Sequence, residues 1–164
     1  MSRYATFGTL ILLSLLFTSL GYAGSDAKDH PEGPITQQKL LTQHPVFTTN
    51  YTAAKPSEES LKLISSINKP VVFKIFFGTW CHDSEREVPR LLKLLNQTAN
   101  RHITLELIGL NHDKEDNAGL AQHYQISRTP TLVIKHNDQE IGRVVETPTQ
   151  NWAQDIIDIV NGIK

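Results

Sequence analysis

The stretch Phe76-Phe77-Gly78-Thr79-Trp80-Cys81-His82-Asp83-Ser84 holds the chain's only cysteine. A thiol becomes a nucleophile and a redox centre once it ionises, and its surroundings decide how readily that happens. In front of it, Val71 to Phe77 is a continuous β-branched and aromatic run that reads as a buried strand. Behind it, Glu85 to Leu95 has acids early and leucines at helical spacing. Cys81 is therefore expected where a central strand gives way to the first turn of a helix. Free backbone N–H groups and the helix dipole would stabilise a thiolate there. The plainer reading is a small buried hydrophobe, the usual fate of a lone cysteine. Ser84 is one helical turn along, and its hydroxyl could hydrogen-bond the thiolate. His82 could raise the positive potential on the sulfur, or simply face solvent. Asp83 and Glu85 suit a helix's first turn and would oppose thiolate formation somewhat. Trp80 is expected to pack beside the thiol and shape a docking surface, or to serve packing alone.

The elements that must position this stretch fit into one domain. The chain has 164 residues, 39% of them hydrophobic, and a formal net charge of -1, so neither a nucleic-acid partner nor an acidic tail is indicated. A single cysteine excludes an internal disulfide, a multi-cysteine zinc site and an iron–sulfur cluster. The seven histidines are scattered and none pairs at H-x-x-x-H spacing, so no metal and no cofactor is expected.

Residues 1–23 read as a secretory signal peptide. Arg3 gives a positive start, an apolar run follows, and Gly21-Tyr22-Ala23 offers small residues at the cleavage positions. An uncleaved anchor is the rival reading, but the apolar run is short for a membrane span. No cysteine follows Leu20, which excludes a lipoprotein anchor, and a Gram-negative periplasm is the expected destination, with no stable membrane insertion after cleavage. Residues 24–56 read as an N-terminal extension or linker. It begins with a polar, flexible lead-in through Pro34, then a short helix over 36–43. An irregular or edge-strand segment over 44–52 packs its aromatics on the domain. The domain itself is expected over 57–164. It opens with a helix capped by Ser57 and running to about Ile67. Strands follow at 71–77, 103–108 and 131–134, with 141–145 returning as a hairpin partner. A short helix falls near 118–124, and an amphipathic helix over 152–163 closes the chain. This order predicts an α/β protein with a central mixed β-sheet flanked by helices.

Specific residues make this arrangement resemble the thioredoxin superfamily. Trp80-Cys81-His82-Asp83-Ser84 lines up with the W-C-x-x-C turn. Pro89 matches the proline that kinks the active-site helix, and Thr129-Pro130-Thr131 matches the loop whose cis-proline faces the cysteine. The likeness runs from about Ser57 to Lys164. The longer stretch G-T-W-C-x-D-S-x-R-E-V-P-R looks like a group of secreted, thioredoxin-like bacterial proteins with Ser in the second cysteine position. Two departures accompany it. Ser84 replaces the resolving cysteine, and the family's buried acid falls on Ile75; Lys74 beside it should point to the other face. Both parts of the resolving step are therefore missing, and Ser84 could equally be a space-filling remnant.

The resemblance implies two functions. One is a monothiol thiol–disulfide oxidoreductase or isomerase, with Cys81 forming a mixed disulfide and Ser84, Trp80, His82, Thr129 and Pro130 around it. Its partners would be thiol- or disulfide-bearing proteins or small thiols such as glutathione. The other is a non-catalytic protein- or peptide-binding module that uses a groove beside cis-Pro130. Arg128 could contact an anionic substrate or be a solvated loop residue, and Arg86 and Arg90 read as a solvated face paired with Glu87. A peroxidase fits less well, because peroxiredoxins place a Thr three residues before the cysteine and Thr79 is two before it.

Overall fold

A computed structural model describes Met1 and residues 30–162 of the chain. The expected signal peptide, Met1 aside, lies outside the described residues. The elements are β1 (Gly33–Ile35), α1 (Gln37–Gln43), α2 (Pro45–Ala53), α3 (Glu58–Ser65), β2 (Val71–Phe77), α4 (His82–Thr98), β3 (Ile103–Gly109), α5 (Leu120–His123), β4 (Thr131–His136), β5 (Gln139–Val145) and α6 (Trp152–Val160). The five-stranded sheet has the order β1-β3-β2-β4-β5. β2 runs parallel to β3 and antiparallel to β4, while β1 and β5 pair antiparallel at the two edges. The expected mixed α/β sheet is therefore present.

β2 is a continuous apolar run because both of its faces are covered. Phe73, Ile75 and Phe77 enter the main core with Leu40 of α1, Phe47 of α2, Ile64 of α3, the leucines of α4 and the isoleucines of α6. Phe76 points to the opposite face and joins Ile108, Leu110, Ala121, Ile126 and Val133. Lys74 is on that second face and pairs with Glu106, so it points away from Ile75 as strand alternation requires. β4 and β5 are joined by Asn137 and Asp138 at φ 50 and 61, the left-handed pair that suits a two-residue hairpin turn.

Two readings of the N-terminal part change. In place of the irregular or edge-strand segment expected over 44–52, Pro45–Ala53 is helix α2. Its β-branched and aromatic residues favour strand locally. Pro45 at the first helical turn and the burial of Phe47 against Phe77, with centroids 5.9 Å apart, override that preference. Residues 33–53, within the expected extension or linker of residues 24–56, pair and pack with the rest of the fold. β1 pairs with β3 from Gly33↔Gly109 to Ile35↔Leu107, and α2 packs on α4.

Candidate functional site

Cys81 is the N-cap residue of α4 in extended conformation, φ -94 and ψ 120. Its N–H donates to the Gly78 carbonyl at 3.1 Å, and its own carbonyl accepts the Glu85 N–H at 2.9 Å. The side chain is half-buried. Its Sγ donates to the Thr129 carbonyl at 3.2 Å, joining the start of α4 to the loop before β4. The Thr129–Pro130 peptide bond is cis, and both residues are buried. That loop is held by Thr131 Oγ1 donating to the Arg128 carbonyl, by the Glu146 N–H donating to the Pro130 carbonyl, and by an Arg128–Glu146 ion pair. Arg128 is thus engaged by Glu146, the residue that follows β5.

The other expected site residues take distinct positions. Ser84 is fully buried and its hydroxyl accepts the Gly78 N–H at 3.3 Å. The hydrogen-bond partner of the Cys81 sulfur is therefore the Thr129 carbonyl rather than Ser84. His82 projects outward with 96% side-chain exposure, and its Nδ1 lies 3.2 Å from Glu85 Oε2, so that ring nitrogen is engaged by the carboxylate. Trp80 is half-buried and donates from Nε1 to the Leu110 carbonyl at 2.9 Å. Gly78 is required beneath it, since a Cβ there would come 2.4 Å from the indole.

Several participants escaped the sequence reading. Thr79 is buried and shares a 2.7 Å hydrogen bond with His30 Nδ1. His112 stacks on Trp80 with ring centroids 4.6 Å apart. Only their nearness in the fold connects these residues to the cysteine. A cavity of about 410 Å³ beside the turn is bounded by His30, His44, Val46, Phe47, Thr79 and Glu85, among others. Glu87, expected on a solvated face, is buried. It accepts from Arg86 Nε, from Arg90 Nη1 and from Trp152 Nε1 at 2.7, 2.9 and 3.0 Å. The bond to Glu87, and then the one to Asp83, holds the Arg86 guanidinium above its ordinary range. Among the described residues, no three His, Cys, Asp or Glu side chains converge as a metal site.

A parallel β2–β3 pair flanked by antiparallel β4 and β5, a helix that starts on a cysteine, and a proline loop facing the sulfur define a thioredoxin-type protein. Residues 36–158 match the family described as thioredoxin, and the chain belongs to that family. A thioredoxin of Chlamydia pneumoniae is 27% identical over 103 residues, which cover 59% of this chain and 95% of that relative. A Pseudomonas aeruginosa protein of unknown function shares the fold at TM-score 0.54 and 14% identity, over 77% of this chain and 85% of its own. An HIV epitope-scaffold matches at TM-score 0.54 and 15% identity, over 82% and 86% of the two chains. Membership supports a general thiol–disulfide oxidoreductase-like role on thiol or disulfide substrates.

Proposed function

We propose that the protein is a secreted, periplasmic monothiol oxidoreductase of the thioredoxin family, with Cys81 as its only redox centre. The observation that carries this reading is the position of the partly buried Cys81 at the N-cap of α4, facing the Thr129 carbonyl of the cis-proline loop. In the first step the Cys81 thiolate attacks a substrate disulfide R–S–S–R′. The Cys81–S–S–R bond forms and R′–S⁻ leaves, taking up the proton that Cys81 gave up. Ser84 has no thiol with which to attack that bond. A second thiolate R″–S⁻, from a small thiol or another protein, then displaces R as R–S–S–R″ and restores Cys81. The signal-like sequence of residues 1–23, with Arg3 ahead of an apolar run and Gly21-Tyr22-Ala23 at its end, supports the periplasmic location.

The test is reactivity in the folded state followed by trapping. Native protein should alkylate with iodoacetamide at neutral pH. It should also accumulate mixed disulfides with periplasmic proteins that are absent for Cys81→Ala. Alkylation only after denaturation would defeat the redox reading. The same partners retained by Cys81→Ala would instead favour a binding module, in which the groove beside Pro130 holds an extended peptide.

A further inference from the structure

The two residues leading into Cys81 are gripped by histidines from distant parts of the chain. His30 Nδ1 and the Thr79 hydroxyl share a hydrogen bond at 2.7 Å. His112 lies nearly flat on Trp80, with an interplanar angle of 23°. The two imidazoles meet edge to face, their centroids 5.2 Å apart. Thr79, His30, His112 and Trp80 thus form a closed circuit whose fourth side is the Thr79–Trp80 peptide bond. The segment that delivers His30 crosses the end of β3 in direct backbone contact. A Cβ on Gly109 would lie 2.1 Å from the Pro31 carbonyl oxygen.

We propose that His30 and His112 are positioning residues for Cys81: through Thr79 and Trp80 they hold the turn that presents the sulfur. This rests on the monothiol reading above. The turn begins at Gly78, a residue without side-chain restraint, and Cys81 itself is an N-cap with no capping side-chain bond. The circuit restrains the side chains of Thr79 and Trp80, which the turn's backbone hydrogen bonds do not reach. A thiol held in its reacting position loses less freedom on forming the mixed disulfide, and misplacement by about 1 Å can cost a rate up to ~100-fold.

The experiment uses the full chain and glutathione disulfide at pH 7.5, with the mixed disulfide read as a mass gain and tryptophan fluorescence followed in parallel. His30→Ala and His112→Ala should slow the reaction on the order of tenfold. His112→Phe, which keeps a ring on Trp80, should recover most of the rate that His112→Ala loses. Thr79→Val, close in shape but without the hydroxyl, should match His30→Ala and serves if the alanine variants do not fold. His112→Ala should also shift the tryptophan emission, because the ring stacked on Trp80 is gone. Alanine variants that react at the wild-type rate would overturn the brace. A wild type that does not react would overturn the monothiol reading instead; tryptophan emission unchanged in His112→Ala would then overturn the brace separately.

Discussion

The sulfur of Cys81 and the hydroxyl of Ser84 sit one helical turn apart and serve different neighbours. Cys81 Sγ donates to the Thr129 carbonyl at 3.2 Å, and Ser84 accepts the Gly78 N–H at 3.3 Å in a fully buried site. Position 84 therefore steadies the backbone beneath the sulfur. Replacing it tests whether the missing second thiol alone explains the proposed chemistry. Ser84→Cys returns a W-C-x-x-C sequence, and its thiol can attack a mixed disulfide on Cys81. The mixed disulfide with glutathione that should accumulate on wild type should then decay to an internal disulfide between Cys81 and the introduced thiol, read as the loss of the glutathione mass. Sulfur is a weaker acceptor than oxygen for the Gly78 N–H, so the variant should also lose about 1 kcal/mol of stability in urea unfolding. A persistent glutathione adduct on the variant would mean that the geometry, and not only the missing thiol, prevents resolution.

Among the elements, α4 carries a proline in its interior, and the neighbouring helix compensates for it. Pro89 has no N–H to give to the Glu85 carbonyl, and Asn50 of α2 donates to that oxygen from Nδ2 at 2.7 Å. Asn50→Ala would leave a part-buried acceptor without its donor. It should cost about 1–3 kcal/mol, measured as a lower urea midpoint at unchanged slope. An unchanged midpoint would mean that water replaces the amide. This contact also marks how far the sequence could be read. β2 was legible because a buried central strand needs apolar residues on both faces, and Val71–Phe77 has them. Cys81 at the head of α4 was legible because strand and helix periodicities meet there. Helix α2 was not, because Val46, Phe47 and Tyr51 are strand-favouring types, and the burial of Phe47 against Phe77 that overrides them is a tertiary effect. The histidine brace was equally hidden. It joins His30, Thr79 and His112, whose separations in the chain have no local pattern.

For the whole molecule, the decisive question is where the folding unit begins. The family likeness in the sequence began near Ser57, yet the fold draws on residues from His30 onward. β1 covers part of the β3 edge, Leu40 and Phe47 are at most 1% exposed in the main core, and Asn50 completes α4. Burying each of the two apolar side chains is worth about 1.5–3 kcal/mol, and stranding the Glu85 carbonyl costs about 1–3 kcal/mol. The sum approaches the about 5–15 kcal/mol that holds an ordinary domain folded. A chain of residues 57–164 should accordingly show no cooperative thermal transition by circular dichroism. One of residues 30–164 should unfold in a single cooperative transition. Starting at Gly33 instead removes His30 and Pro31 but keeps β1 and both helices. That chain should still fold while reacting more slowly at Cys81, because the core survives and the brace does not. A cooperative melt from 57–164 would show that the first two helices are accessories to the domain, and the boundary would return to Ser57.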